Sequence, residues 1–568
     1  MLKPKLFSII KHRDVELTKN QLVNDIISGI IVAVIALPLS VALAIASGVS
    51  PEKGIITAII AGFLMSFLGG SRVQIGGPTG AFVIIVYGIV TKYGISGLTI
   101  ATLMGGCFMV FFGLMKFGSV IKYVPYPIIT GFTSGIAVVL LSTQINDFFG
   151  MSISNLPSEF FPKMEEYINN FSAINITTTI IGIVSLLIII LWPKINKKVP
   201  GSLIALLLVT SIVKIFDLPV ATIGSRFGTI SNSINFVNFN ELDISLSLIK
   251  ELIRPAITIA FLASIESLLS AIVADGMIGK KHNSNMELVA LGVANIFSAL
   301  FGGIPATGAI ARTAANVKNG GRTPIAGIVH ALTLLLVMIV FMPLASMIPM
   351  ATLAAILIVV SYNMSEWRSF KALLKSTKSD AAVLLVTFTM TVVFDLVIAI
   401  EIGMVIAMFL FVRRMAESTQ IANVNNYYDN LFNEDDDYEI SKSLNDGVHI
   451  GLKANIMIYE IIGPLFFGMA NTFIDIMNEV ENNTDVLIIK MKNVPNMDAT
   501  AFDALKRIEQ RCQKQDIQIL FAEVNVQPFN LLESSGFFNK ISKDKFFNSV
   551  EEAIGYADTI VNNKKIVI

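Results

Sequence analysis

The sequence predicts a polytopic α-helical membrane protein of about fourteen spans, followed by a small soluble α/β domain. Three observations predict it. The chain of 568 residues is 54% hydrophobic and only 15% charged, against about 25% charged in soluble proteins. Long apolar runs fill residues 22 to 413. Beyond Arg414 the texture turns acidic, then alternates between apolar and amphipathic segments. The formal net charge is zero, so no bulk attraction to nucleic acid follows. Two cysteines, Cys107 and Cys512, and four histidines show no metal-ligand spacing. No cofactor or metal is expected.

The elements follow in order. Residues 1–21 begin MLKPKLFSIIKHRD, which is basic and lacks a signal-peptidase site, so this segment is expected to be cytoplasmic. Residues 22–414 form the expected transmembrane domain. Its spans start near Val23, Ile55, Ala81, Leu98, Ile128, Ile174, Ser202, Ile249, Glu287, Ala309, Pro324, Ala351, Ala381 and Leu396. Pro38 is expected to interrupt the first span, and only Phe394 and Asp395 separate the last two.

Loop charge tests this count. With fourteen spans both termini face one side, whose loops hold Arg72, Lys116, Lys122, Lys194, Lys197, Lys198, Lys280, Lys281, Arg368, Lys371, Lys375, Lys378, Arg413 and Arg414. The two long loops opposite, 150–171 and 217–248, hold Glu159, Glu165, Glu166, Asp217, Glu241 and Asp243 against Lys163 and Arg226. The asymmetry obeys the positive-inside rule. It predicts a multi-pass protein of the inner (plasma) membrane with both termini cytoplasmic.

Residues 415–447, with the run Glu434-Asp435-Asp436-Asp437, read as a solvated acidic linker. Residues 448–568 read as the soluble domain. MIYEII (457–462), DVLIIKM (485–491) and DIQILFAEV (516–524) have strand character, with amphipathic helices at 470–482 and 498–515 between them. That alternation implies parallel βαβ units.

An internal echo locates a candidate site. Residues 76–82 read GGPTGAF and residues 302–310 read GGIPATGAI. Each interrupts apolar sequence at the third span of a seven-span half. Broken helices survive in a membrane only where protein buries them or where they line a wet cavity. A half-helix that starts there presents unpaired N–H groups and the positive end of its dipole, an anion site without a full charge. Matched interruptions in two halves point to a transporter site. Close helix packing by the same glycines is the alternative.

Four stretches together resemble the SulP (sulfate permease) family: DIISGIIVAVIALPLSVALAIASGVSP (25–51), GGSRVQIGGPTGAF (69–82), SIESLLSAIVADGMIGKKHNSNMEL (264–288) and FGGIPATGAIARTAANVKNGGRTP (301–324). The tail resembles the STAS domain of that family, and the chain looks closest to a bacterial branch typified by the dicarboxylate transporter DauA. The resemblance implies two inverted seven-span repeats divided into core and gate domains. It further implies an elevator movement of the core, a homodimer, and substrates among sulfate, bicarbonate, chloride, nitrate and dicarboxylates.

Carried onto this sequence, the anion site comprises Thr79, Gly80 and Ala81 with Ala306, Thr307, Gly308 and Ala309. They are expected to donate backbone N–H groups, and Thr79 and Thr307 their hydroxyls. Arg312 lies one turn further on, where animal relatives place a basic residue toward the anion. Glu266 is a carboxylate inside a span, costly to bury and functional by default. A neutral Glu266 tolerates a neighbouring anion and an ionised one repels it, so it is the expected proton-coupling residue. A structural ion pair or hydrogen bond is the alternative. In sodium-coupled bicarbonate relatives this position is Asp and the fourth beyond it Thr. Here they are Glu266 and Ser270, which weakens a sodium site. In the tail, Thr500 occupies the position phosphorylated in related STAS regulators. The alternative is a plain helix cap, with Asp498 as N-cap.

The function classes then narrow. No phosphate-cradling GxxxxGK[ST] loop supports a primary pump, and no catalytic constellation supports an enzyme. The expected function is a secondary active transporter of small anions, by proton-coupled symport. The alternatives are an exchanger or uncoupled anion channel on the same fold, and a membrane sensor that signals through STAS to a cytoplasmic protein partner. Leu39 and Val41 are apolar, so few side chains are expected to read the substrate.

Overall fold

The computed structural model of the chain describes residues 3–12, 18–119, 124–153, 156–157, 159–196, 199–228, 230–238, 245–394, 396–425, 455–466 and 484–567. It divides into two units, Met1–Ala407 and Met408–Ile568.

The first unit is helical. In order it contains α1 (Lys5–His12), α2 (Lys19–Ala46), α3 (Pro51–Leu68), strand β1 (Gly76–Gly77), α4 (Val83–Leu114), α5 (Tyr126–Thr143), α6 (Ile145–Phe149), α7 (Phe160–Asn169), α8 (Ile176–Ile195), α9 (Gly201–Ile215), α10 (Ile223–Phe227), α11 (Leu246–Ile278) and α12 (Ser284–Leu300). Then follow strand β2 (Thr307–Gly308), α13 (Ile310–Lys318), α14 (Ile325–Ala345), α15 (Met350–Met364), α16 (Trp367–Leu374), α17 (Lys378–Val393) and α18 (Leu396–Glu417), which crosses the division between the units.

Polar caps set several starts. The side chains of Thr18, Asn175, Ser245 and Asn283 accept the N–H of Gln21, Thr178, Leu248 and Met286, opening α2, α8, α11 and α12. The buried Asp25 accepts the Thr323 hydroxyl at 2.6 Å and the Arg322 N–H at 2.8 Å, which fixes the turn into α14 to α2.

Each expected span start falls on a helix or a 3-10 turn, or within two residues of a helix start. Eight helices among the described residues are long and apolar enough to cross a bilayer. The fourteen-span count exceeds this because some spans are short and others follow one another with little or no loop. The expected third and fourth spans are the two helical parts of α4, which meet at Gly94, whose φ 68° and ψ −171° lie outside the helical range. The tenth is the nine-residue α13. One expectation fails: α2 runs unbroken through Pro38 over 28 residues. Proline removes one N–H, and the surrounding turns keep the helix going.

The helices pack in two groups. One holds α2, α3, α4, α11, α12, α13 and α14; the other holds α5, α6, α8, α9, α15, α16 and α17. Outward faces are apolar at helical spacing, as in Ile176, Ile180, Ile183, Leu187 and Ile190 of α8 and Leu332, Leu336 and Ile339 of α14. Water would not tolerate such stripes on this scale, and lipid does.

The second unit carries a five-stranded sheet in the order β3 (Gln420–Asn423), β4 (Ile456–Ile462), β5 (Val486–Asn493), β6 (Gln518–Ala522) and β7 (Phe546–Phe547). The β4–β5, β5–β6 and β6–β7 pairs are parallel, as the alternation predicts, and β3 joins β4 antiparallel. Helix α19 (Ala499–Lys514) covers Leu487, Ile489 and Phe521 on one face. Helix α21 (Val550–Val567), which follows α20 (Val526–Ser534), covers Val486, Ile488 and Leu520 on the other. Burial on both faces explains the unbroken Val486–Ile489 apolar run. Strand β3 comes from the stretch read as linker; the Glu434–Asp437 run, the 470–482 helix and Asp395 lie outside the described residues.

Candidate functional site

The two glycine-rich stretches meet. β1 and β2 pair antiparallel, with Gly76 opposite Gly308 and Gly77 opposite Thr307. The Ala309 N–H donates to the Ile75 carbonyl at 2.9 Å, and the Ile75 N–H donates to the Thr313 hydroxyl at 3.1 Å. Non-helical backbone inside a membrane domain must be satisfied by protein. Here polar side chains on neighbouring helices do it. Asn295 of α12 exchanges two bonds with the Ala306 peptide, accepting its N–H at 2.8 Å and donating to its carbonyl at 2.9 Å. The Thr57 hydroxyl accepts the Ile304 N–H at 2.7 Å. Asn316 donates to the Val73 carbonyl at 2.8 Å, and Gln74 donates to Ser267 Oγ at 2.7 Å.

From this pairing two helices start toward one cavity. A 3-10 turn at Gly80–Phe82 leads into α4, and α13 begins at Ile310 with no side-chain cap. The cavity of about 400 Å³ lies between the two helix groups. Thr79, Gly80, Ala81, Glu266, Ala309 and Arg312 line it, with Leu39 and Leu43 of α2, Phe132 of α5 and Met364 of α15. Most of the wall is apolar, so the few polar groups decide what can enter.

Those groups are specific. The Thr79 hydroxyl donates to Glu266 Oε2 at 2.9 Å, which ties α11 to the start of α4. Arg312 is buried; its Nη2 donates to the Pro78 carbonyl at 3.0 Å and approaches Ser40 Oγ at 3.4 Å. Its Nη1 has no hydrogen-bond partner among the described residues. Gly77, at φ 153°, leaves room for that guanidinium, because a Cβ there would strike Nη1. The arrangement offers free N–H donors at two helix starts, one unspent guanidinium donor and one carboxylate.

The remaining residues expected at the site sit behind it. Ala306 spends its N–H on Asn295, Thr307 donates its hydroxyl to the Ala263 carbonyl at 2.9 Å, and Gly308 is held in β2. None of the three lines the cavity. Ser270 is buried and its hydroxyl donates to Thr313 Oγ1 at 3.3 Å. Among the described residues no cluster of three metal-ligating side chains occurs. Thr500 is exposed in the first turn of α19, whose N-cap is Asp498, accepting the Ala501 N–H at 2.8 Å. Sequence reasoning missed Gln74, Asn295, Thr313 and Asn316, the polar residues that hold the unwound stretches. Their signal was present: they are amides and a hydroxyl in or beside apolar spans.

Residues 22–387 match the sulfate permease family, and residues 450–553 match the STAS domain. The chain belongs to the sulfate permease family. It is 41% identical over 511 residues to YvdB of Bacillus subtilis, named for sulfate transport, covering 90% of this chain and 93% of that one. It is 30% identical over 532 residues to the bicarbonate transporter BicA of Picosynechococcus, covering 89% and 90%. The solved structure of SLC26A9 shares the fold at a TM-score of 0.84 and 18% identity, covering 99% of this chain and 93% of that one. The solved transmembrane domain of a cyanobacterial BicA matches at a TM-score of 0.61 and 29% identity, covering 69% and 98%. This sulfate permease family member is therefore a multi-pass membrane protein of an anion transporter family. The two curated relatives named here carry sulfate and bicarbonate in their names.

Proposed function

We propose that the chain is a secondary transporter of small oxyanions of the sulfate and bicarbonate class, working in the plasma membrane with both termini in the cytoplasm. The anion binds at the starts of α4 and α13, and a proton on Glu266 accompanies it. The observation that carries this reading is the Thr79–Glu266 hydrogen bond beside the unspent Nη1 of Arg312. While Glu266 is ionised, it holds the Thr79 hydroxyl and repels an anion. A proton on Glu266 removes that charge and frees the Thr79 hydroxyl to donate to the anion instead. Proton and anion then enter together, because each improves the site for the other.

The position of the cavity between the two helix groups supports an elevator movement of one group against the other. The domain order, the homodimer and a protein partner at the STAS unit belong to the same reading. A sodium ion at Glu266 and Ser270 has less support, since the Ser270 hydroxyl is turned to Thr313.

The test is uptake of labelled sulfate and bicarbonate by proteoliposomes containing Glu266→Gln. Glutamine keeps an acceptor for Thr79 but cannot titrate. Proton-gradient-driven uptake should be lost, while counterflow at equal pH persists. Proton-driven uptake at the wild-type rate would refute the coupling role.

A further inference from the structure

Helix α16 follows α15 after only Ser365 and Glu366, and Lys375, Ser376 and Thr377 lead from it into α17. Its sequence is WRSFKALL, and none of its residues is buried. At about 100° per residue, Leu373, Phe370, Leu374 and Trp367 fall within an arc of about 120°. Arg368, Lys371 and Lys375 follow at i, i+3 and i+7, and Lys375 keeps the right-handed helical conformation. These three side chains therefore form one basic flank directly beside Trp367. From residue 368 to residue 378 the chain carries four basic residues, these three and Lys378, and no acidic one.

The two edges of the apolar arc meet different surroundings. Phe370 is half-buried and packs edge-on against Phe388 of α17, with ring centroids 5.3 Å apart. Leu373 is half-buried as well. Trp367 stacks on Phe370 at 6.4 Å yet stays 59% exposed, and Leu374 stays 41% exposed. Around the helix the order is thus protein contact, exposed apolar edge, basic flank. The start of the helix is fixed. Glu366 takes φ 42°, a left-handed conformation uncommon outside glycine, and its carboxylate accepts the Tyr126 hydroxyl of α5 at 3.4 Å. The four basic side chains are exposed, and none is engaged in an ion pair or hydrogen bond among the described residues.

We propose that α16 lies in the membrane surface and binds anionic phospholipid headgroups through Arg368, Lys371 and Lys375. The helix joins two expected spans, which leaves it at the level where acyl chains give way to headgroups. Trp367 and Leu374 then reach the acyl boundary, the depth at which an indole is best accommodated. The basic flank beside them reaches the phosphates, and its long side chains bend their charges that way. Charge complementarity selects the lipid: three cations without a protein carboxylate fit a headgroup of net negative charge better than a zwitterionic one. The inference needs only the membrane placement of this unit and does not rest on the transport reading.

The test reads Trp367 itself. The chain has two tryptophans, so Trp192→Phe leaves Trp367 as the sole indole. The full chain with that substitution is reconstituted in phosphatidylcholine vesicles that contain increasing fractions of tail-brominated phosphatidylglycerol or tail-brominated phosphatidylcholine. Fluorescence quenching by each gives the relative affinity of the two lipids beside Trp367. Phosphatidylglycerol should be favoured about fivefold or more at low salt, the factor that one basic residue contributes near an anionic surface. High salt should shrink that preference, a check that needs no change to the basic flank. Adding Arg368→Gln, Lys371→Gln and Lys375→Gln together should abolish it while both lipids still quench. All three residues are exposed, so the fold should survive the change. Equal quenching by the two lipids before those changes, a preference that survives them or high salt, or quenching by neither lipid overturns the headgroup site. Quenching by neither would assign the exposed edge to a protein partner instead. Anion uptake enters none of these readings, so the transport reading stands or falls separately.

Discussion

Asn295 offers a direct test of how the site is held. It is fully buried in α12 and clamps the Ala306 peptide from both sides, at 2.8 and 2.9 Å. Its amide also donates to the Leu291 carbonyl at 2.9 Å. Asn295→Leu is close to isosteric, so it opens little cavity, but it strands a buried N–H and a buried C=O. Each costs about 1–3 kcal/mol, giving about 2–6 kcal/mol in all. Asn295→Asp keeps the acceptor for the Ala306 N–H but turns an oxygen toward the Ala306 carbonyl, so it should also destabilise. Ala306 precedes β2 and α13, so a loosened peptide displaces the α13 start on which the anion depends. Equilibrium unfolding of the purified protein in denaturing detergent reads the energy, and anion uptake by the folded fraction reads the geometry. Stability of Asn295→Leu within about 0.5 kcal/mol of wild type, with uptake unchanged, would refute the clamp.

Other outcomes follow from the same contacts. A Cβ at Gly308 would collide with the Gln74 amide, which is held by Ser267, so Gly308→Ala should lower stability by about 1–3 kcal/mol and abolish uptake, as thermal melts and transport assays can check. Lys163 has its pKa lowered from 10.5 to about 8 by burial, so between those values the unfolded chain binds more protons and stability rises with pH. Lys163→Met should therefore flatten the rise of stability between about pH 8 and 10.5, as melts across this range would reveal. In the second unit, Asp498→Ala should cost about 1 kcal/mol locally. Faster hydrogen exchange at the Ala501 amide would report it, and unchanged exchange would show that the cap carries no weight.

Much of the architecture was legible because a bilayer imposes simple rules. Apolar runs of span length located the helices, and loop charge gives the orientation proposed for them. The echo GGPTGA and GGIPATGA predicted two meeting interruptions, and they meet as β1 and β2. What stayed hidden is three-dimensional. Sequence could not tell that Ala306 and Thr307 spend their donors on Asn295 and Ala263, which leaves the Ile310 and Ala311 turn at the cavity instead. Nor could it tell that Pro38 leaves α2 intact, because a buried helix is held by its neighbours as well as by its own ladder. Lys163 and Arg226 counted in the sequence only as loop charge; their shared cavity depends on how α7 and α10 fold back. In the tail, a four-residue edge strand at 420–423 is too short for periodicity to show.

The most direct test of the coupled anion site is the initial rate of labelled sulfate and bicarbonate uptake by proteoliposomes, with and without a pH gradient, for wild type and Glu266→Gln. The account predicts saturable uptake of at least one of the two anions, accelerated by an inward proton gradient in wild type and indifferent to it in Glu266→Gln. Flux that never saturates and follows voltage alone, or a proton-driven rate that survives in Glu266→Gln, would contradict it.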